Sequence, residues 1–164
     1  MKTSAGLIIG IGNPLRGDDG FGYLAAESLA KKLKNTPVKV VATHQLLPEH
    51  LDLMRKVAWV VFIDASAAGE AGKLTITTPR ALFESPLAFS HSLDVTHMMA
   101  WCKSLYRVCP KTLLLSTGIA DDRVGMPFSP GVRRALTKAV SLVVKLINVG
   151  NPSVEAYIDN LSRD

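Results

Sequence analysis

Residues 7–22 read LIIGIGNPLRGDDGFG, and the pattern of this stretch indicates the fold class. The apolar run Leu7–Ile11 is interrupted and followed by glycines, which predicts a short buried strand. From Asp19 to Lys34 apolar residues recur every three or four positions, and lysines occupy the other side, so an amphipathic helix is expected. The stretch therefore predicts a strand, a glycine-rich turn and a helix.

Strands and helices alternate along the rest of the chain, which favours an α/β domain. Val57–Ile63 (VAWVVFI) is the most apolar run and predicts the central strand. Only nine residues separate it from Lys73–Thr77, too few for a parallel crossover, so that strand is expected to be antiparallel and at an edge. We therefore predict a three-layer α/β/α sandwich around a twisted, mostly parallel five-stranded sheet. The other predicted strands are Val38–Thr43 and Thr112–Thr117, and the other helices are Pro48–Arg55, Ser92–Tyr106 and Ser129–Asn148.

Composition favours one folded domain. The chain has 164 residues, of which 48% are hydrophobic and 20% charged, so it can bury a core and is not disordered. We expect a single domain over residues 1–164, with a loosely packed tail at 149–164. No apolar run reaches the roughly 18 residues of a membrane helix, and Leu7–Ile9 is too short for a signal peptide.

Charge and cysteine content narrow the partners and the compartment. The net charge is +5, but the basic residues fall on predicted helix exteriors without interleaved aromatic residues, so a solvated surface is expected and no nucleic acid. Such a surface also suits an acidic protein partner. Cys102 and Cys109 are too few for a disulfide framework and fit no zinc spacing. We expect a cytoplasmic protein, a monomer, with reduced thiols.

The glycine-rich turn does not fit a nucleotide site. Leu15 stands where the dinucleotide fingerprint needs its third glycine, and no Lys-Ser or Lys-Thr follows Gly17 as in a P-loop. Asp18 and Asp19 would repel a phosphate, so a cation is the better ligand. Alternatively, either aspartate caps the following helix, and we predict that Asp18 is the cap while Asp19 points into the cleft.

Two further polar residues are expected at the same edge of the sheet. Asp64 follows the central strand, where a carboxylate is costly unless it is paired, bound to a cation or used as a cap. His91 begins the helical segment after FS, although a single histidine is more often structural. His44, His50 and His97 are weaker candidates. Two carboxylates and an imidazole suit nickel, zinc or manganese.

In their order along the chain, these motifs resemble those of the nickel–iron hydrogenase maturation endopeptidases. GIGNPLRGDDGFG is similar to the family's opening motif, FIDAS to its second and SHSLD to its third. QLLPE at Gln45–Glu49 is similar to a segment in one branch of the family, and STGI followed by SPGV fits the last strand and helix. The resemblance covers about residues 6–147.

The resemblance implies a function and a ligand set. Members of the family remove a C-terminal extension from the hydrogenase large-subunit precursor after nickel insertion, and they bind metal at the positions of Asp19, Asp64 and His91. The nickel is thought to be the substrate's own, although another divalent metal is expected to occupy the site in vitro. Metal-assisted attack by water is the simplest mechanism, with Asp18 as a candidate catalytic base.

Departures from the family pattern affect two places. Many members have glutamate at the position of Asp19, so the reach here is one methylene shorter. Many also have proline and glutamate after the last strand, where this chain has residues 120–123, ADDR. Two other hypotheses remain: a nickel-binding escort, which has the same three ligands but does not cleave, and a nucleotide-binding α/β module.

Overall fold

The computed structural model describes residues 6–81, 94–149 and 151–163, and the side chains of residues 151–153 are outside the description. Strands and helices alternate through these ranges. The strands are β1 (Gly6–Ile11), β2 (Val38–Thr43), β3 (Trp59–Ala71), β4 (Thr75–Thr77) and β5 (Lys111–Gly118). The helices are α1 (Phe21–Lys32), α2 (His50–Met54), α3 (Val95–Tyr106), α4 (Pro130–Asn148) and α5 (Asn151–Leu161), and a 3-10 turn at Gly17–Gly20 leads into α1.

The described strands form one sheet in the order β2-β1-β3-β5-β4. The β1–β2, β1–β3 and β3–β5 pairs are parallel, while β4 runs antiparallel to β5 at one edge. The predicted fold class is confirmed, as are the central position of the VAWVVFI strand and the antiparallel edge strand. Because the parallel strands end at a common edge, the loops that follow β1, β2 and β3 meet there.

Two apolar layers cover the sheet, as the alternation of side chains along a strand requires. One layer packs α1, α4 and α5 against the sheet, and the other packs α2 and α3 against the opposite face. Trp59, Val61 and Ile63 of β3 face the first layer, whereas Val60 and Phe62 face the second. This arrangement buries residues 59–63 of β3 on both faces of the sheet.

The C-terminal tail is not loose as predicted. Helix α5 packs against the first layer through Val154 and Ile158, which are 1% and 4% exposed. Lys111 also forms an ion pair with Asp159 at 2.6 Å. The four-residue spacing of the two apolar side chains places both on one face of a single helix turn, which is the local signal for this helix.

Strand β3 is longer than predicted. It continues past Asp64 to Ala71, and Asp64 lies beside Ser116 in the register with β5. The register shifts between Ser66 and Ala71, both of which pair with Gly118. Asp64 is therefore inside the strand, at the point where its burial decreases, and not at its end.

Candidate functional site

The glycines of the opening motif allow the start of α1 to lie directly on the sheet. A Cβ atom at Gly10 would lie 2.0 Å from the carbonyl oxygen of Gly22. A Cβ atom at Gly22 would lie 2.0 Å from the carbonyl oxygen of Ile63. Neither position leaves room for a side chain, so these glycines serve close packing of backbone on backbone.

The same packing brings Asp19 to the edge of the sheet. Gly12 has φ 141°, and a Cβ atom there would lie 1.9 Å from the carbonyl oxygen of Asp19. The backbone N–H of Asn13 donates to Oδ2 of Asp19 at 3.0 Å. These contacts hold the half-buried Asp19 carboxylate above the end of β1.

The negative charge of the Asp19 carboxylate acts on a second acid, Asp64. Its Oδ1 accepts a hydrogen bond from the N–H of Ala65 at 2.8 Å, and the side chain is half-buried. Burial, together with the smaller effect of the negative charge of Asp19, raises the pKa of Asp64 to about 7 despite the hydrogen bond from Ala65. The charge of Asp19 therefore acts on Asp64, as expected if both carboxylates lie at this edge of the sheet.

This pair of acids has the chemistry of a cation site. Each carboxylate raises the energy of the other when both are ionised, and a divalent cation between them would remove that repulsion. His91, the third predicted ligand, lies outside the described residues. Within the described ranges, no three His, Cys, Asp or Glu side chains cluster closely enough to hold a metal. The three-ligand site accordingly stays a prediction.

Asp18 has a different environment from Asp19. Its side chain is completely buried, and its Oδ2 accepts hydrogen bonds from the N–H groups of Ala120 (2.9 Å) and Asp121 (3.1 Å). Its Oδ1 accepts from the N–H of Ser129 at 2.8 Å. Burial alone would raise the pKa of Asp18, but these backbone donors outweigh burial and hold the pKa below its ordinary value.

These contacts correct the interpretation of Asp18. The prediction that it caps α1 is wrong, because Gly20 occupies the N-cap position and the carboxylate binds the segment between β5 and α4 instead. The hypothesis that Asp18 is a catalytic base also loses its support. A buried carboxylate that already accepts three hydrogen bonds, with a lowered pKa, is poorly suited to take a proton from water.

Asp18 belongs to a set of contacts that join loop 13–20 to loop 119–129. The N–H of Asp18 donates to the carbonyl of Asp121 at 2.8 Å, and the N–H of Gly125 donates to the carbonyl of Leu15 at 2.8 Å. Arg16 forms an exposed ion pair with Asp122 at 3.1 Å. The ADDR segment, where the sequence departs from the family pattern, is therefore fixed against the opening motif.

The joined loops present three exposed apolar side chains, which we call the loop patch: Leu15, Val124 and Met126. Their exposed fractions are 69%, 76% and 38%. Val124 and Met126 lie in the β5–α4 connection. They are brought close to Leu15 by contacts between distant parts of the chain, so no local pattern in the sequence predicts the patch. Exposed apolar clusters near polar sites are typical of protein-binding surfaces.

The remaining histidines and the cysteines have other surroundings. His50 is buried, and its Nδ1 accepts a hydrogen bond from the N–H of Leu47 at 2.9 Å. His97 contacts Asp94 at the start of α3, and the ring of His44 lies 5.4 Å from that of Tyr23. Cys102 is buried in the second apolar layer, and Cys109 is exposed.

Comparison with solved structures identifies similar folds. The chain is 25% identical to a [NiFe] hydrogenase maturation protease, HycI from Thermococcus kodakarensis KOD1, with a TM-score of 0.70 over 88% of this chain and 92% of that one. It is 19% identical to the hydrogenase maturating endopeptidase HybD of E. coli, with a TM-score of 0.67 over 84% of this chain and 88% of that one.

A third similar structure is a hydrogenase 2 maturation peptidase from Thaumarchaeota archaeon SCGC_AB-539-E09, 21% identical, with a TM-score of 0.61 over 85% of this chain and 95% of that one. No model of a protein family and no curated protein matches the sequence. The resemblance that the motifs indicate is confirmed by the structural matches. Among the described residues, no helix is long and apolar enough to cross a membrane.

Proposed function

Because the chain has the fold of the [NiFe] hydrogenase maturation proteases and carries an acid pair at the carboxyl edge of its sheet, we propose that it is an endopeptidase of the same kind. Its substrate is the precursor of a nickel–iron hydrogenase large subunit. The reaction removes the C-terminal extension of this precursor after nickel insertion, in the cytoplasm.

The observation that carries the proposal is the interaction between Asp19 and Asp64. The two residues come from different motifs, and the charge of Asp19 adds to the effect of burial in raising the pKa of Asp64. Two exposed carboxylates can move apart in water, which lowers their repulsion. Two carboxylates that are partly buried and held in place cannot, so a bound divalent cation stabilises them most. This feature favours metal binding over nucleotide binding at the opening motif.

Each residue has a distinct task in the proposed reaction. Asp19 and Asp64 supply carboxylate oxygens, and His91 supplies an imidazole nitrogen, to the nickel that the substrate carries. A metal ion so held acts as a Lewis acid toward a peptide carbonyl or a water molecule. The hydrogen bonds from Asn13 and Ala65 fix the two carboxylates, so that the site is oriented before the substrate arrives.

The loop patch supports a folded protein as the substrate. Leu15 is four positions before Asp19, and Val124 and Met126 are held beside it by the contacts between the two loops. A protein surface that covers these apolar side chains would gain free energy on binding, whereas a free dipeptide could not cover them all. Leu15→Ser should therefore weaken the cleavage of a folded precursor.

The decisive experiment is digestion of a purified large-subunit precursor, with and without nickel, followed by mass spectrometry. We expect loss of the C-terminal peptide only from the nickel-loaded precursor. Asp19→Asn removes the charge while keeping the size, so it should abolish cleavage at an unchanged melting temperature, or at a higher one because repulsion with Asp64 is relieved. Asp52→Asn, an exposed aspartate on α2, is the matched control and should cleave normally.

The other outcomes identify the other functions. Binding of nickel without any cleavage would indicate an escort, and thermal stabilisation by nucleotides but not by divalent metals would indicate a nucleotide-binding module. Normal cleavage by Asp19→Asn would reject the metal-binding role of that residue. His91→Ala tests the third ligand in the same way, since lost cleavage with a preserved fold is the signature of a ligand.

A further inference from the structure

A second feature lies where the parallel strands have their carboxyl ends: an open cleft beside the end of β2. Its volume is about 580 Å³, within the usual range for ligand sites. Tyr23 of α1 forms one wall, and the end of β2 with the loop after it forms the other. The lining residues are Tyr23, Ala42, Thr43, His44, Gln45 and Leu47.

Hydrogen bonds around the cleft hold its shape. The hydroxyl of Thr43 donates to the carbonyl of Gln45 at 2.8 Å, which fixes the turn after β2. The N–H of Leu47 donates to the buried His50 ring at 2.9 Å, which anchors the far end of the loop. The cleft is therefore formed before any ligand binds, and a ligand need not order it.

The cleft adjoins the acid pair. The N–H of Gly12 donates to the carbonyl of Thr43 at 3.0 Å, and the next residue, Asn13, donates to the Asp19 carboxylate. The consecutive N–H groups of Gly12 and Asn13 thus connect Thr43, which lines the cleft, to the carboxylate of Asp19. A peptide held at Asp19 needs to extend past only this turn to enter the cleft.

We propose that this cleft binds an uncharged, extended segment of the C-terminal extension that is cut from the precursor. The inference rests on the proposed function and adds the place where the removed peptide is held. His44 and Gln45 hydrogen-bond its backbone, while Tyr23, Ala42 and Leu47 contact its side chains.

The chemistry of the lining selects this occupant. None of the six lining residues is Asp, Glu, Lys or Arg, so the cleft offers no partner for a strongly charged segment. His44 and Gln45 are exposed and carry both donors and acceptors, which suit the alternating N–H and C=O groups of an extended chain. The folded body of a large protein cannot enter a cleft of this size, but a flexible C-terminal peptide can.

The test separates substrate binding from the chemical step. Cleavage of the nickel-loaded precursor is measured at subsaturating and saturating concentrations for the natural protein and for His44→Ala, Gln45→Ala and Tyr106→Ala. Tyr106 is an exposed aromatic residue at the end of α3 that does not line the cleft, and it serves as the control. His44 and Gln45 are exposed, so their replacement should leave the fold intact.

We expect His44→Ala and Gln45→Ala each to raise KM about 5- to 10-fold, as the loss of roughly one binding contact does, with kcat changed less than about twofold. Tyr106→Ala should change neither constant. If the natural protein cleaves and both cleft variants keep its KM, the inference is overturned while the proposed function stands. If the natural protein does not cleave at all, the proposed function fails and this inference fails with it.

Discussion

Replacing Asp18 with alanine tests whether this carboxylate fixes the structure and takes no part in the chemistry. Its two oxygens accept from the N–H groups of Ala120, Asp121 and Ser129, and the side chain is fully buried. In Asp18→Ala these donors lose their acceptor. An unsatisfied buried donor costs about 1–3 kcal/mol, and the lower value applies here because water can reach a loop that opens slightly.

Three such donors give an expected loss of about 3 kcal/mol in the free energy of unfolding, a large fraction of the 5–15 kcal/mol typical of a domain. Urea unfolding followed by circular dichroism measures this loss from the shift of the midpoint at unchanged slope. Asp122→Ala is the matched control, since it removes an exposed ion pair with Arg16 and should cost less than about 1 kcal/mol.

The pH dependence gives a second readout for Asp18. Its pKa is lowered in the folded protein, so the stabilisation is fully present above the ordinary value of 3.8 and is lost as the pH falls through the folded-state pKa. The difference between the natural protein and Asp18→Ala should therefore shrink in acid. A loss no larger than that of Asp122→Ala at pH 7 would refute the structural role.

The remaining predictions concern the C-terminal helix and the second acid. Ile158→Ala should lower the free energy of unfolding by about 2–4 kcal/mol because Ile158 is buried, whereas Val149→Ala, at an exposed site, should change it by less than about 0.5 kcal/mol. Equal effects in urea unfolding would contradict the packing of α5. Asp64→Asn should stabilise the protein in chelator: the pKa of Asp64 is raised to about 7, so its charge progressively destabilises the fold as the pH rises from 4 to 7, by up to about 4 kcal/mol. The melting temperature of this variant should exceed the natural one increasingly over that range, and equal values at pH 8 would contradict the raised pKa of Asp64.

The positions of the strands, the central strand, the antiparallel edge strand and the layers could be predicted because they depend on local patterns. Apolar runs and their spacing located all five described strands, and the short connection before β4 predicted its antiparallel pairing. The tail was mispredicted because its signal is weak. Val154 and Ile158 share one helix face, but the helix is stabilised by its contact with the first apolar layer, which the sequence alone does not reveal.

The candidate site could be predicted only in part, because some of its contacts join distant parts of the chain. The interaction of Asp19 with Asp64 follows from topology: β1 and β3 are neighbouring parallel strands, and Asp64 comes one residue after Ile63, which pairs with Gly10 near the end of β1. The partners of Asp18 could not be predicted, because Ala120 and Ser129 are more than 100 residues away and donate through their backbone, which leaves no trace in residue type. A local rule assigned Asp18 to the nearest helix N-terminus, and a distant loop competed successfully for it.

The adjacent residues Asp18 and Asp19 have different roles, and the geometry of the turn that contains them explains why. Residues Gly17–Gly20 form a 3-10 turn, in which consecutive side chains point about 120° apart because there are about three residues per turn. Asp18 accordingly points into loop 119–129, where three N–H dipoles compensate its charge, and Asp19 is left beside Asp64. The turn therefore carries two negative charges, of which only that of Asp19 lacks three N–H donors. The charges left without such compensation are those of Asp19 and Asp64. It follows that Asp18→Ala should reduce stability, whereas Asp19→Asn should abolish cleavage and leave stability unchanged or raised.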